Sequence, residues 1–385
     1  MSAALGNLDI AISSLVVSQR DTMLSTVRKI AEGPLAKLAD EIDRVGTYPS
    51  NILKELGEAG AFNAHMALDG ELDYGAAIQA IAEVSQVCGA TGFMMWCHDV
   101  CGMYMEYSNN PALQGATLER HGNAQTLGGT ALSNPMKTFA GIESMLLRAT
   151  KVDGAYVVNG TLPWVSNLGS DHYFGAIAML ESDNADQPHE IMFMVDCAAA
   201  GVELRECPSF SAMEGTGTWG VRLTNFRVDE QNMIADPVRP LIEHIRAGFI
   251  LLQCGMGLGV AQGAIDSMVG VEGQLGHVNQ YLEDRPQDLQ NELDELSRRT
   301  MLLAKTPFKK DKQFLIDVLD VRAHASEIAL RAAQSALLHH GARGYLLTSP
   351  VQRRVRESHF VAIVTPALKH LRKEIARLSI NGVPS

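Results

Sequence analysis

The feature that most limits the folds open to this chain is a hydrophobic period that changes twice. From Ser18 to about Ser108 apolar residues recur at helical spacing. Met23, Val27, Ile30, Leu35 and Leu38 mark one stretch and Ile52, Leu53 and Leu56 the next, the recurrence that lays one face of a helix on a core. Pro49-Ser50 is expected to open a helix with a capping hydroxyl and Gly60 to close it. Tyr74 to Met105 then reads as two apolar helices parted at Gly89. From Gly122 to Pro237 the runs MLLRATKV, AYVVNG, HYFGAIAML, EIMFMVD and GVRLTNFRV are divided by Asp153-Gly154, Asn159-Gly160 and Ala200-Gly201, pairs that mark turns between strands. After Pro240 helical spacing returns and holds to Leu378, broken at Pro350. This order predicts an α+β protein: an N-terminal helical domain (1–121), a central β-barrel or sandwich domain (122–237), and a C-terminal helical domain (238–385) built as a four-helix bundle.

Composition narrows the function classes. With 46% of 385 residues hydrophobic, the chain can bury a large core. Acidic residues outnumber basic ones by 44 to 32 and no dense basic run occurs, so the footprint of a nucleic-acid binder is missing. The N-terminus has no basic region followed by an apolar stretch and cleavage site, which predicts a cytoplasmic location. The uncharged run Ala247 to Ile265 approaches membrane-spanning length, but five glycines and two glutamines interrupt it, so we read it as a buried central helix rather than a membrane span. Gly255, Gly257 and Gly259 resemble a dinucleotide fingerprint only superficially, because Val260 breaks the pattern and no strand precedes it. Close helix packing explains them better. The six cysteines are scattered and read as reduced thiols. Cys97 and Cys101 bracket His98 with metal-ligand chemistry, yet no second ligand cluster follows, so no metal is expected.

Several local motifs, in order, resemble those of the acyl-CoA dehydrogenase superfamily. EIDRVGTYPSNILKELGEAGAF (41–62) is similar to its N-terminal helix entrance, ALSNPMKTFAGIES (131–144) to its flavin loop, and VDGAYVVNGTLPWVSN (152–167) to its strand-turn-strand ending in Trp-Ile-Thr-Asn. GTGTWGVRLTNFRVDEQNMI (215–234) resembles its last strand, and HHGARGYLLTSPVQRRVRES (339–358) its glycine-rich turn and the Arg-Asp-Ala helix that follows. The resemblance spans nearly the whole chain. It implies a flavoprotein oxidoreductase, a flavin at the junction of the three domains, a small acyl-type substrate that could be a CoA thioester, and a homotetramer.

A flavin needs an apolar wall for its ring and hydrogen-bond donors at N5 and the pyrimidine oxygens, where electron density collects on reduction. Trp164 offers a wall, and Ser166, two residues on and so on the same strand face, a hydroxyl. By resemblance Trp164 stacks on the flavin, Ser166 bonds near N5, and Leu132 and Ser133 meet the pyrimidine side. The competing reading makes Trp164 a core aromatic of the barrel. Gly341 and Gly344 fall where the superfamily brings a glycine turn to the cofactor of a neighbouring subunit, although a plain helix cap would use the same residues. The cofactor implied is FAD, with FMN as the other choice.

Three positions depart from the pattern. Removing an α-proton while hydride leaves the β-carbon calls for a carboxylate. The usual site of that base matches Thr365, and the site that some members use on the central helix matches Phe249. Neither is acidic. The arginine that helps hold substrate matches Ile250, leaving Arg246 one turn earlier as its nearest substitute. The segment that anchors the FAD pyrophosphate has become NQYLEDRPQDLQ (279–290). An ordinary acyl-CoA dehydrogenase is therefore not expected. Two alternatives stand beside a divergent dehydrogenase: a reduced-flavin-dependent monooxygenase of the same fold, served by a flavin reductase, and a non-catalytic flavin-binding or scaffold protein. In the monooxygenase, His98 would stabilise the flavin–oxygen adduct. His359 and His370, on a helix rich in Arg and Lys, read as parts of a solvated charged face.

Overall fold

The computed structural model describes residues 19–67, 72–181 and 187–380; residues 1–18, most of the stretch from which a cytoplasmic location was expected, lie outside them. The chain opens with helix α1 (19–45), which carries a π-turn at Ala31–Leu35 around Pro34, followed by α2 (Ser50–Glu58). No side chain caps α2, so the expected Ser50 cap is not made: Ser50 is already the first helical residue, after Pro49. Next come α3 (Tyr74–Val87), capped by the Asp73 carboxylate accepting from Ala76 N, then α4 (Gly89–Glu106) and α5 (Ala116–Gly122).

The strands are β1 (Gly128–Thr130), β2 (Arg148–Val152), β3 (Ala155–Val165), β4 (Tyr173–Leu180), β5 (His189–Asp196), β6 (Val202–Arg205), β7 (Trp219–Val228) and β8 (Met233–Ala235), with the short helix α6 (Ser133–Phe139) between β1 and β2. They form one sheet in the order β6-β7-β3-β2-β4-β5-β8, with β1 added parallel to β4. The sheet stays open, so the barrel alternative falls away. Its buried face has its own core, including Val158, Phe174, Phe193 and Val221. Asp153 and Gly154, both at positive φ, make the β2–β3 turn as expected. Asn159-Gly160 does not turn: it lies inside β3 at a shift in the pairing with β7. A Cβ on Gly160 would stand 2.4 Å from Leu146 O, so the glycine is needed for a bulge rather than a hairpin.

Five helices complete the chain: α7 (Arg239–Asn279), α8 (Pro286–Ala304), α9 (Lys312–His340), α10 (Pro350–Ile363) and α11 (Leu368–Ile380). The long helix α7 is apolar enough to cross a membrane, but its most apolar stretch is 94% buried against the others. Its glycines carry that burial. A Cβ on Gly255 or Gly259 would lie 2.6 Å from Ile78 O or 2.2 Å from Ala82 O on α3, and one on Gly257 2.6 Å from Ala325 O on α9. Without side chains the three helices approach backbone to backbone, and apolar surface on both flanks is removed from water.

Candidate functional site

Where the sheet meets α4, α7 and α10, a cleft of about 340 Å3 opens. The last residues of β3 bring Trp164 and Ser166 to one wall. Trp164 is 59% exposed and meets Phe210 edge-on at 6.4 Å, so its indole lines the cleft instead of filling the sheet's core. The Ser166 hydroxyl is 2.7 Å from that of Thr218, which is 2.8 Å from that of Thr216. Leu132 and Ser133 lie at the start of α6, where no side chain caps the helix. The first amides of an uncapped helix point outward as free donors.

The opposite wall is aromatic. Phe93 and Trp96 stack at 5.8 Å on α4, Trp96 meets Phe249 of α7 at 5.1 Å, and Phe360 of α10 closes on Phe93 at 4.6 Å. The Trp96 indole donates to Phe249 O at 3.3 Å. Thr365 stands just past α10, its hydroxyl 3.0 Å from that of Ser133. Behind it Gln253 donates to Thr365 O at 2.9 Å, and the fully buried Arg322 donates to Gln253 at 3.0 Å and to Val361 O at 2.8 Å. Burial holds the Arg322 guanidinium down to about 10; it is still a cation at neutral pH.

Among the described residues of the lining, Glu143 is the one carboxylate. It sits at the rim, bound by Lys137 at 2.8 Å and Asn134 at 3.1 Å, and the bond from Lys137 holds its pKa below the ordinary carboxylate range. The two positions where a proton-abstracting carboxylate was sought, Phe249 and Thr365, both face this cleft, and neither supplies one.

Other expected site residues lie elsewhere. His98, on α4, is fully buried and outside the cleft lining. Its ring stacks on that of His121 at 3.7 Å, and each Nε2–H donates to the other residue's carbonyl at 2.9 Å. His98 Nδ1 accepts from Gly128 N at 3.1 Å, and His121 Nδ1 from the Tyr173 hydroxyl. Burial, then the neighbouring His121, pushes the His98 pKa well down. A neutral imidazole with both nitrogens engaged is a structural link from α4 to β1, and that corrects the expectation that His98 meets the reacting atoms. Arg246 also stands outside, paired with Glu374 at 3.1 Å. Ile250 is buried. Gly341, at φ +58°, caps α9, and Gly344 follows in the same turn, away from the cleft. Among the described residues no group of three metal-ligating side chains converges, Cys97, His98 and Cys101 included. His370 is buried, not solvated. Sequence reasoning passed over Phe93, Trp96 and Phe360 as lining, because on apolar helices their spacing is that of a core face.

Known proteins match this architecture along its length. The acyl-CoA dehydrogenase N-terminal domain matches residues 18–121. A probable acyl-CoA dehydrogenase of Bacillus subtilis, YngJ, is 23% identical, covering 94% of this chain and 98% of its own length. The human mitochondrial short-chain specific acyl-CoA dehydrogenase is 25% identical, covering 94% and 88%. Residues 18–121 thus match an acyl-CoA dehydrogenase domain, and the whole chain resembles acyl-CoA dehydrogenases end to end. Butyryl-CoA dehydrogenase from Megasphaera elsdenii superposes with a TM-score of 0.82 at 17% identity, covering 94% of this chain and 98% of that one. The dibenzothiophene monooxygenase TdsC from Paenibacillus sp. A11-2, in its FMN-bound structure, does so with 0.80 at 15%, over the same shares. The superfamily fold thus covers both a dehydrogenase and an oxygenase.

Proposed function

We propose that this chain is a flavin-dependent oxidoreductase of the acyl-CoA dehydrogenase superfamily acting on a small acyl-type substrate, with no carboxylate at either Thr365 or Phe249. The observation that carries the reading is the cleft itself, where Trp164, Ser166 and the uncapped start of α6 converge. These features fit a flavin: an uncovered indole for the ring, a hydroxyl on the same strand, and backbone donors at Leu132 and Ser133. When bound, the flavin supplies two-electron redox chemistry. The chain's part is to orient and to exclude water. Trp164 backs the ring; Ser166, steadied by Thr218 and Thr216, presents its hydroxyl; Phe93, Trp96, Phe249 and Phe360 make a dry wall for an apolar substrate. Thr365 and Ser133 can donate a hydrogen bond to a substrate carbonyl, and Arg322 through Gln253 holds the Thr365 backbone in place.

A second reading is oxygen transfer by reduced flavin, with a flavin reductase as partner. It is favoured by Phe249 and Thr365, since that reaction needs no α-proton base. His98 no longer supports it. FAD remains the first choice of cofactor and FMN the other. We also assign self-association to the turn after α9, where Tyr345, Leu346 and Leu347 are 76%, 60% and 65% exposed beside Gly341 and Gly344; consecutive exposed apolar side chains mark a contact surface. A homotetramer is the form that the superfamily resemblance suggests.

Anaerobic mixing of flavin-loaded protein with short and medium acyl-CoAs tests the premise that both readings share. Slow or absent bleaching accords with the lack of a carboxylate at Thr365 and Phe249, and rapid bleaching by any of them contradicts it.

A further inference from the structure

On the side of α6 turned away from the cleft lies a second hollow, also about 340 Å3, between α6, the first turns of α7 and one face of α11. Its charges are unevenly matched. Glu374, 5% exposed, accepts from Arg246 at 3.1 Å and from Arg377 at 2.9 Å, so two guanidiniums share one buried carboxylate. Two guanidiniums carry ten N–H donors, and a carboxylate offers about four acceptor sites. Arg239 is already answered, held by both oxygens of Glu190 with its guanidinium over the Phe139 ring at 3.9 Å.

His370 faces the same space. It is 6% exposed, and its Nδ1 has no hydrogen-bond partner. An unanswered buried polar atom carries a desolvation cost that a ligand atom can relieve. Burial, with the positive charges of Arg246, Lys373 and Lys137, keeps its pKa below the usual value against the pull of Glu374. The exposed carboxylate of Glu243 stands at the rim and disfavours multiply charged ligands by like-charge repulsion.

We propose that this hollow binds a singly charged oxyanion, a carboxylate or a phosphate diester, through Arg246, Arg377 and His370. Planar guanidiniums match such groups in pairs of parallel hydrogen bonds. The site is separate from the cleft, yet one short helix divides them: Asn134 and Lys137 of α6 face the cleft, Met136 and Phe139 the hollow. The anion is therefore either a free small molecule or the charged end of one whose other end occupies the cleft.

The test follows the His370 imidazole by NMR in the full chain without cofactor, so it does not depend on flavin binding. Adding acetate or dimethyl phosphate should raise the His370 pKa and show saturation at about millimolar affinity or tighter. Arg377→Met, whose side chain is half exposed, should weaken binding about tenfold, and Arg246→Met by as much or more. Competition by an acyl-CoA identifies the anion as the end of a cleft ligand; independent binding of both identifies a free anion. Either pattern supports the site. No saturable change at His370 with either probe, or equal binding by folded Arg377→Met and Arg246→Met proteins, overturns it. Flavin binding without anion binding sinks this proposal alone, and anion binding without flavin binding sinks the functional reading alone.

Discussion

The Ser133 and Thr365 hydroxyls lie 3.0 Å apart across the cleft, joining the start of α6 to the end of α10. In a dehydrogenation the Thr365 position would need a group that takes a proton, and an alcohol cannot do so at neutral pH. Installing one is the direct experiment: Thr365→Glu should raise the rate of anaerobic flavin bleaching by a short acyl-CoA by about a hundredfold or more, the lower range of what a positioned base contributes. A stable, flavin-loaded Thr365→Glu protein no faster than wild type would show that Thr365 is not where the substrate's α-carbon lies.

The stacked His98–His121 pair should stay neutral, with the proton on each Nε2, from pH 8 to about 5. Burial lowers His121 to about 3 from 6.5, so its contribution to stability is complete above about 6.5 and is lost as pH falls from there toward 3, where the unfolded chain binds a proton that the folded chain refuses. Nitrogen-15 shifts of the two rings read the tautomer directly. Titration of either ring near pH 6.5 in the folded protein contradicts the pairing. His98→Ala leaves Gly128 N without its acceptor, at about 1–3 kcal/mol, while His121 O keeps the bond from Ala124 N at 2.8 Å, so its phenotype should be lowered stability.

Gly259 and Gly270 on α7 should respond oppositely to alanine. A Cβ at Gly259 would stand 2.2 Å from Ala82 O, whereas one at Gly270 meets nothing within 4 Å. Gly259→Ala should cost about 1–3 kcal/mol through overpacking, and Gly270→Ala should add about 0.5–1 kcal/mol through helix propensity. Urea midpoints of the two variants measure this; equal midpoints would refute the close α3–α7 approach.

The positions of strands and helices were legible because their periods are strong, and so were the wall residues Trp164 and Ser166, which alternate on one strand. Asn159-Gly160 misled because the same pair serves a tight turn or a bulge, and only pairing with β7 decides. His98 misled for a related reason. A polar residue in an apolar helix demands a partner, but its partners, His121 and Gly128, lie 23 and 30 residues away, beyond what helix periodicity can reveal. The aromatic wall shows the same limit, since Phe93, Trp96 and Phe360 have the spacing of buried core and face a cleft only because α4, α7, α10 and the sheet leave one between them.

Flavin held against Trp164 in this cleft is measured by titrating cofactor-free protein with FAD and with FMN, read by the shift of the flavin absorption bands and the quenching of tryptophan fluorescence. At least one of them should bind saturably at about micromolar affinity, weakened about tenfold by Trp164→Ala, which loses the ring contact but leaves the urea midpoint unchanged because the residue is 59% exposed. Binding of both no tighter than about millimolar, or binding that Trp164→Ala leaves intact, would contradict it.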